Sequence, residues 1–81
     1  MKEFQLEIIS RKGSLYKDRA TMLQVKGIEG EFTILAGHAP LLTVLKEGQI
    51  RISPAIGEKQ SLNIEGGFIE VHKDQVLILT K

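Results

Sequence analysis

Apolar side chains recur at every second position along most of this chain. Phe4, Leu6 and Ile8 alternate with Glu3, Gln5 and Glu7, and Leu23 and Val25 alternate with Gln24 and Lys26. Further on, Ile50 and Ile52 alternate with Gln49, Arg51 and Ser53, and Leu62 and Ile64 with Ser61, Asn63 and Glu65. A period of two describes a strand with one face in a core and one in water. Clusters rich in turn-forming residues separate these runs: Arg11-Lys12-Gly13-Ser14, Gly27-Ile28-Glu29-Gly30, Ala36-Gly37-His38-Ala39-Pro40, Lys46-Glu47-Gly48, Pro54-Ala55-Ile56-Gly57 and His72-Lys73-Asp74-Gln75. Such punctuation every eight to ten residues or so belongs to a sandwich or barrel. No apolar stripe of helical period runs free of glycine or proline, so the pattern predicts an all-β fold with about eight or nine strands and no long helix.

Size and charge narrow the function. A chain of 81 residues holds one modest core, and its 42% hydrophobic content suffices for that. There is no cysteine, which excludes disulfide staples and thiol chemistry and fits a reducing compartment. The formal charge of +1 gives no basic excess for neutralising phosphates, which argues against nucleic acid. No apolar run approaches the ~18 residues of a membrane helix. The alternating start, MKEFQLEII, lacks the continuous apolar run of a signal peptide. These features lead to the expectation of a soluble protein facing the cytosol.

Four runs break the one-wet-face rule. Leu41, Leu42, Val44 and Leu45 are apolar on both faces, as are Val76, Leu77, Ile78 and Leu79. Ile34 and Leu35 repeat the pattern, and Phe68, Ile69 and Val71 nearly do. Bends and bulges can tuck some of these side chains under loops; the other reading is a surface that a partner covers. Burying ~400 Å² of apolar surface contributes roughly 10 kcal/mol gross, against an association cost of ~4–15 kcal/mol. Two partners, or one large one, are therefore expected.

Catalytic patterns are weak. His38 and His72 are the only histidines and lack metal-ligand spacing, so no metal or other cofactor is expected. Ser14, His38 and Asp18 can be written as a nucleophilic triad, but no strand-turn-helix elbow supports it. Gly27-Ile28-Glu29-Gly30 lacks the Gly-Lys-Ser/Thr ending of a phosphate loop and puts a carboxylate where phosphate would sit. The aromatics are Phe4, Tyr16, Phe32 and Phe68, and the alternation commits Phe4 and Phe68 to the core, leaving little for base stacking. One rival to a binding module is a lipoyl- or biotinyl-type carrier domain with Lys59 at a hairpin tip, although such domains carry a pseudo-twofold repeat that is not visible here.

The stretch Gly27-Ile28-Glu29-Gly30-Glu31-Phe32-Thr33-Ile34-Leu35-Ala36-Gly37-His38-Ala39-Pro40-Leu41-Leu42-Thr43 closely resembles the signature of the ATP synthase epsilon subunit family, the bacterial and chloroplast counterpart of the mitochondrial delta subunit. The likeness continues through Leu45-Lys46-Glu47-Gly48 and Ile50-Arg51-Ile52. It closes with Gly66-Gly67-Phe68-Ile69-Glu70-Val71 and Val76 to Leu79. Two positions depart from the family pattern: Thr33 stands where glycine is usual and Ala36 where proline is usual. Losing that proline relaxes the entry to Gly37, and Thr33 suits a strand if its φ is negative.

The resemblance implies a single domain, residues 1–81, folded as a flattened β-sandwich of about ten short strands in two sheets. It implies a non-catalytic central-stalk rotor subunit that joins the gamma subunit to the c-ring, peripheral at the cytoplasmic face of the membrane. Carried over by position, Glu29 and Glu31 would meet polar loops of the c-ring, and His38, Ala39, Leu41 and Leu42 the gamma subunit. Gly27, Gly30, Gly37, Pro40, Gly66 and Gly67 would shape turns or bulges. The alternative reading of Glu29 and Glu31 is a merely solvated turn, and that of His38 a hydrogen-bonded loop. The family's C-terminal helical hairpin is expected to be absent, and with it ATP binding.

Overall fold

The alternating runs pair into one sheet. The computed structural model describes residues 2–81 and contains β1 (Phe4–Ser10), β2 (Gly13–Gly27), β3 (Gly30–Leu35), β4 (Leu41–Pro54), β5 (Gln60–His72) and β6 (Gln75–Thr80). The strand order is β1-β6-β5-β4-β2-β3, and β1 also pairs with β2, which closes the sheet into a barrel-like form. The β1–β6 ladder is parallel and all others are antiparallel. No helix forms among the described residues, so none is long and apolar enough to cross a membrane.

Six strands take the place of the expected eight to ten because some turn signals lie inside strands. Lys46-Glu47-Gly48 sits within β4 and Gly66-Gly67 within β5. The β4–β5 ladder keeps one register on both sides of them, with Leu45 opposite Gly67 and Glu47 opposite Glu65. What changes is the face. Before the interruption Leu45 points inward in β4, and after it Ile50 and Ile52 do; in β5, Ile64 points inward before and Ile69 and Val71 after. Even and odd positions exchange roles in both strands together, so the pairing survives. Glycine permits this in β5: Gly66 has φ 93° and Gly67 φ 151°, backbone that other residues rarely adopt. The Thr80 hydroxyl donates to the Gly66 carbonyl at 2.6 Å and holds the bulge closed.

That exchange corrects one expectation. Phe68 is not in the core: it is 55% exposed, because continuing the Leu62–Ile64 phase across the two glycines assigns it to the wrong face. Phe4, by contrast, is buried with Leu6 and Ile8 from β1, Leu23 and Val25 from β2, and Val76 and Ile78 from β6. Among the described residues no charged side chain is buried, Tyr16 with its hydroxyl is in the core, and no buried side-chain polar atom lacks a partner. The interior is thus held by apolar packing and by backbone ladders.

Candidate functional site

The outer face of β4, β5 and β6 carries an apolar row. Val44 stands opposite Phe68 in one ladder, Phe68 opposite Leu79 in the next, and Leu79 opposite Ile9 of β1. Directly paired residues project from the same face of a sheet, so these side chains form a continuous band. Leu42, two positions before Val44 and on the same face, is 72% exposed. Their chain neighbours Leu45, Ile69 and Ile78 are buried. The two-faced runs therefore split: one half packs in or against the core and the other half is exposed, apart from Leu77, which is half-buried. Leu35 is likewise exposed beside buried Ile34.

Next to this band lies the acidic turn. Gly27 and Gly30 pair at the end of the β2–β3 ladder and leave Ile28 and Glu29 as the connection. The Ile28 amide donates to the Val44 carbonyl at 3.2 Å, fastening the turn to β4. Ile28, Glu29 and Phe32 share a concavity of ≈ 290 Å³ with His38, Leu41 and Thr43. Glu31 lines a separate polar cleft with Gln24, Lys26, Gln49 and Arg51, directly opposite Lys26 in the ladder. The two carboxylates of this turn thus sit in unlike surroundings: Glu29 lines a concavity with Ile28, Phe32 and Leu41 and no lysine or arginine, and Glu31 a cleft that also holds Lys26 and Arg51.

The loop from β3 to β4 turns tightly. The His38 amide donates to the Leu35 carbonyl at 3.1 Å, and Gly37 has φ 85°. His38 Nδ1 lies 2.7 Å from the Ala39 carbonyl oxygen; a carbonyl only accepts, so this contact is a hydrogen bond in the form of the ring that carries a hydrogen on Nδ1. Ala39 and Pro40 are exposed, and Leu41 packs partly against the core. Thr33 lies in β3 without a positive φ. Unforeseen from the sequence was Asp74, whose Oδ1 accepts the Gly37 amide hydrogen at 2.6 Å. An aspartate in a turn cluster was the visible signal, but its partner lies in a different loop.

Catalytic geometry does not assemble. Ser14 Oγ donates to the Tyr16 carbonyl, Asp18 Oδ1 accepts from the Arg19 amide, and His38 contacts its own chain neighbour; none of the three bonds to another. Among the described residues no group of three or more His, Asp or Glu side chains could hold a metal ion. Lys59 is exposed at the end of the connection that follows Pro54, immediately before β5.

Comparison with known proteins decides the family. The model of the ATP synthase, Delta/Epsilon chain, beta-sandwich domain matches residues 3–81. The chain belongs to that family. The ATP synthase epsilon chains of Chromohalobacter salexigens and Psychrobacter arcticus are 40% and 39% identical over 98% of this chain. This chain spans 56% and 57% of their lengths. The epsilon chain of Chlorobium limicola is 38% identical over 99% of this chain, which spans 91% of it. Among solved structures, a chain of the Euglena gracilis mitochondrial ATP synthase, in an OSCP/F1/c-ring assembly, superposes with a TM-score of 0.90 at 25% identity. The match covers 96% of this delta/epsilon-family domain and 50% of that chain. A chain of the Tetrahymena thermophila mitochondrial ATP synthase central stalk and c-ring has the same fold, with a TM-score of 0.83 at 17% identity, 98% of this chain and 63% of that one.

Proposed function

We propose that this domain is a non-catalytic rotor element of an ATP synthase, joining the gamma subunit to the c-ring at the cytoplasmic face of the membrane. The observation that carries this reading is the exposed row Val44–Phe68–Leu79 with Leu42 beside it. A contiguous exposed apolar row on a small domain marks a surface that another protein can cover. The gamma subunit takes this band, and the neighbouring loop of His38, Ala39 and Leu41 continues the contact. The acidic turn meets the c-ring, Glu29 attracting basic groups of its polar loops. Rotation driven by ion transport then passes through a domain that adds stiffness to the rotor and no chemistry.

The test is association. The purified domain, mixed with gamma subunit and c-ring, is expected to co-migrate with the assembled rotor in size-exclusion chromatography. Failure to associate with either one removes the proposal while leaving the family assignment intact.

A further inference from the structure

Three connections of the fold meet at Asp74. Its carbonyl accepts the Gln5 amide hydrogen at 2.9 Å, at the entry to β1. Its carboxylate accepts the Gly37 amide hydrogen at 2.6 Å, in the loop between β3 and β4. It also forms, with Lys73, the turn between β5 and β6, where His72 pairs with Gln75. Both turn residues are left-handed, Lys73 at φ 48° and Asp74 at φ 58°, a conformation aspartate tolerates better than most residues.

The Gly37 contact completes a turn that is unfinished by itself. In the Leu35–His38 turn the ends are joined by the His38 amide. The third residue has φ 85°, the value of a type II turn, whose third amide has no partner inside the turn. Asp74 supplies that partner from a segment remote in sequence. The contact is short, as expected when a carboxylate accepts. Among the described residues, the other hydrogen bonds of the Ala36–Pro40 loop are internal: His38 to Leu35 and the His38 ring to Ala39. Gly37, Ala39 and Pro40 are exposed, so packing does little to hold them.

We propose that Asp74 is a positioning residue whose carboxylate sets the conformation in which the His38 loop meets the neighbouring rotor subunits. This rests on the rotor reading above. Without the carboxylate the loop samples several shapes, and a partner must select one, which lowers apparent affinity by the fraction competent to bind.

Two variants of the full chain separate the roles of this residue. Asp74→Gly accepts the left-handed backbone, keeps the carbonyl that Gln5 uses, and removes the side chain that carries the carboxylate. Asp74→Asn keeps an acceptor oxygen at the same place. The Gly37 amide is followed by NMR, and affinity for a complex of gamma subunit and c-ring is measured alongside. In the wild type and the Asn variant the Gly37 hydrogen is expected to be shifted downfield and slow to exchange; in the Gly variant both signatures disappear. Affinity is expected to fall about tenfold in Asp74→Gly and to stay within about twofold in Asp74→Asn. An unmoved Gly37 signal in Asp74→Gly overturns the tether. A freed amide with unchanged affinity overturns the positioning role. A Gly variant that does not fold overturns it too, because the carboxylate then maintains the fold rather than the loop. If the wild type binds no partner, the rotor reading fails and the positioning role with it, whereas failure in the variants alone spares the rotor reading.

Discussion

Val44 and Phe68 face each other across the β4–β5 ladder with both side chains turned away from the core. Each is followed directly by a buried residue, Leu45 and Ile69, so the same stretch of ladder both closes the interior and presents apolar surface. Phe68→Glu or Leu42→Asp is expected to weaken binding to the gamma subunit by about 2 kcal/mol, roughly thirtyfold, as loss of a central aromatic or aliphatic anchor does. Folding stability is expected to change by only about 0.5 kcal/mol, because neither side chain fills the core. Titration calorimetry and urea unfolding of the same preparations check both halves. Unfolding of either variant would return its side chain to the interior.

The acidic turn makes an asymmetric prediction. Glu31 stands opposite Lys26 and lines the same cleft as Arg51, so cations of the domain itself share its surroundings, although none forms an ion pair with it among the described residues. Glu29 sits in the concavity with His38 and Leu41, where no lysine or arginine takes part in the lining. Charge reversal at Glu29 is expected to slow association with the c-ring severalfold at low salt, and the loss is expected to shrink as salt rises. Glu31→Gln is expected to change the rate less than Glu29→Gln. Association rates at two ionic strengths decide this, and equal effects at both positions would remove the asymmetry.

Alternation made the buried faces of β1, of the later half of β4 and of the early half of β5 legible, because each lies in a run of constant phase. It failed at Phe68. Phase is a local property, and two glycines reset it without leaving the strand. The same reset explains why Lys46-Glu47-Gly48 reads as a turn and folds as part of β4. The doubly apolar runs were legible as surplus surface, yet which half lies bare depends on the position of the resets. Asp74 was legible as a turn former and not as the partner of Gly37, since a contact between two loops leaves no periodic trace in either.

Gly67 is the least replaceable glycine. A Cβ built there would overlap the Leu79 carbonyl oxygen of β6, and backbone cannot yield as a flexible side chain can. The residue also holds φ 151°. Gly67→Ala is expected to cost 3 kcal/mol or more, roughly the sum of left-handed strain and a displaced ladder. Gly57 also has a positive φ, 104°, but open space around it, and Gly57→Ala is expected to cost only about 1 kcal/mol. Urea unfolding of the two variants measures the gap; equal costs would mean that β6 moves aside freely.

Tyr16 makes stability depend on alkaline pH. Its hydroxyl donates to the Arg19 carbonyl at 3.1 Å, and its pKa is raised above the ordinary value, first by burial and then by the negative charge of Asp18. The unfolded chain releases this proton near pH ~10, whereas the folded chain holds it to higher pH. Between those two values the native state binds more protons than the unfolded one, so stability falls as pH rises. Below the unfolded value the contribution is complete; above the folded value it is gone. Tyr16→Phe is expected to lose about 0.5–1.5 kcal/mol at pH ~7 through the missing hydrogen bond. It is also expected to lack this alkaline slope, so the gap between wild type and variant narrows above pH ~10. Unfolding curves recorded in parallel from neutral to alkaline pH test this, with near-ultraviolet absorbance following the phenol directly. A constant gap across the range would show that the phenol ionises alike in both states, and burial beside Asp18 would then have no energetic consequence.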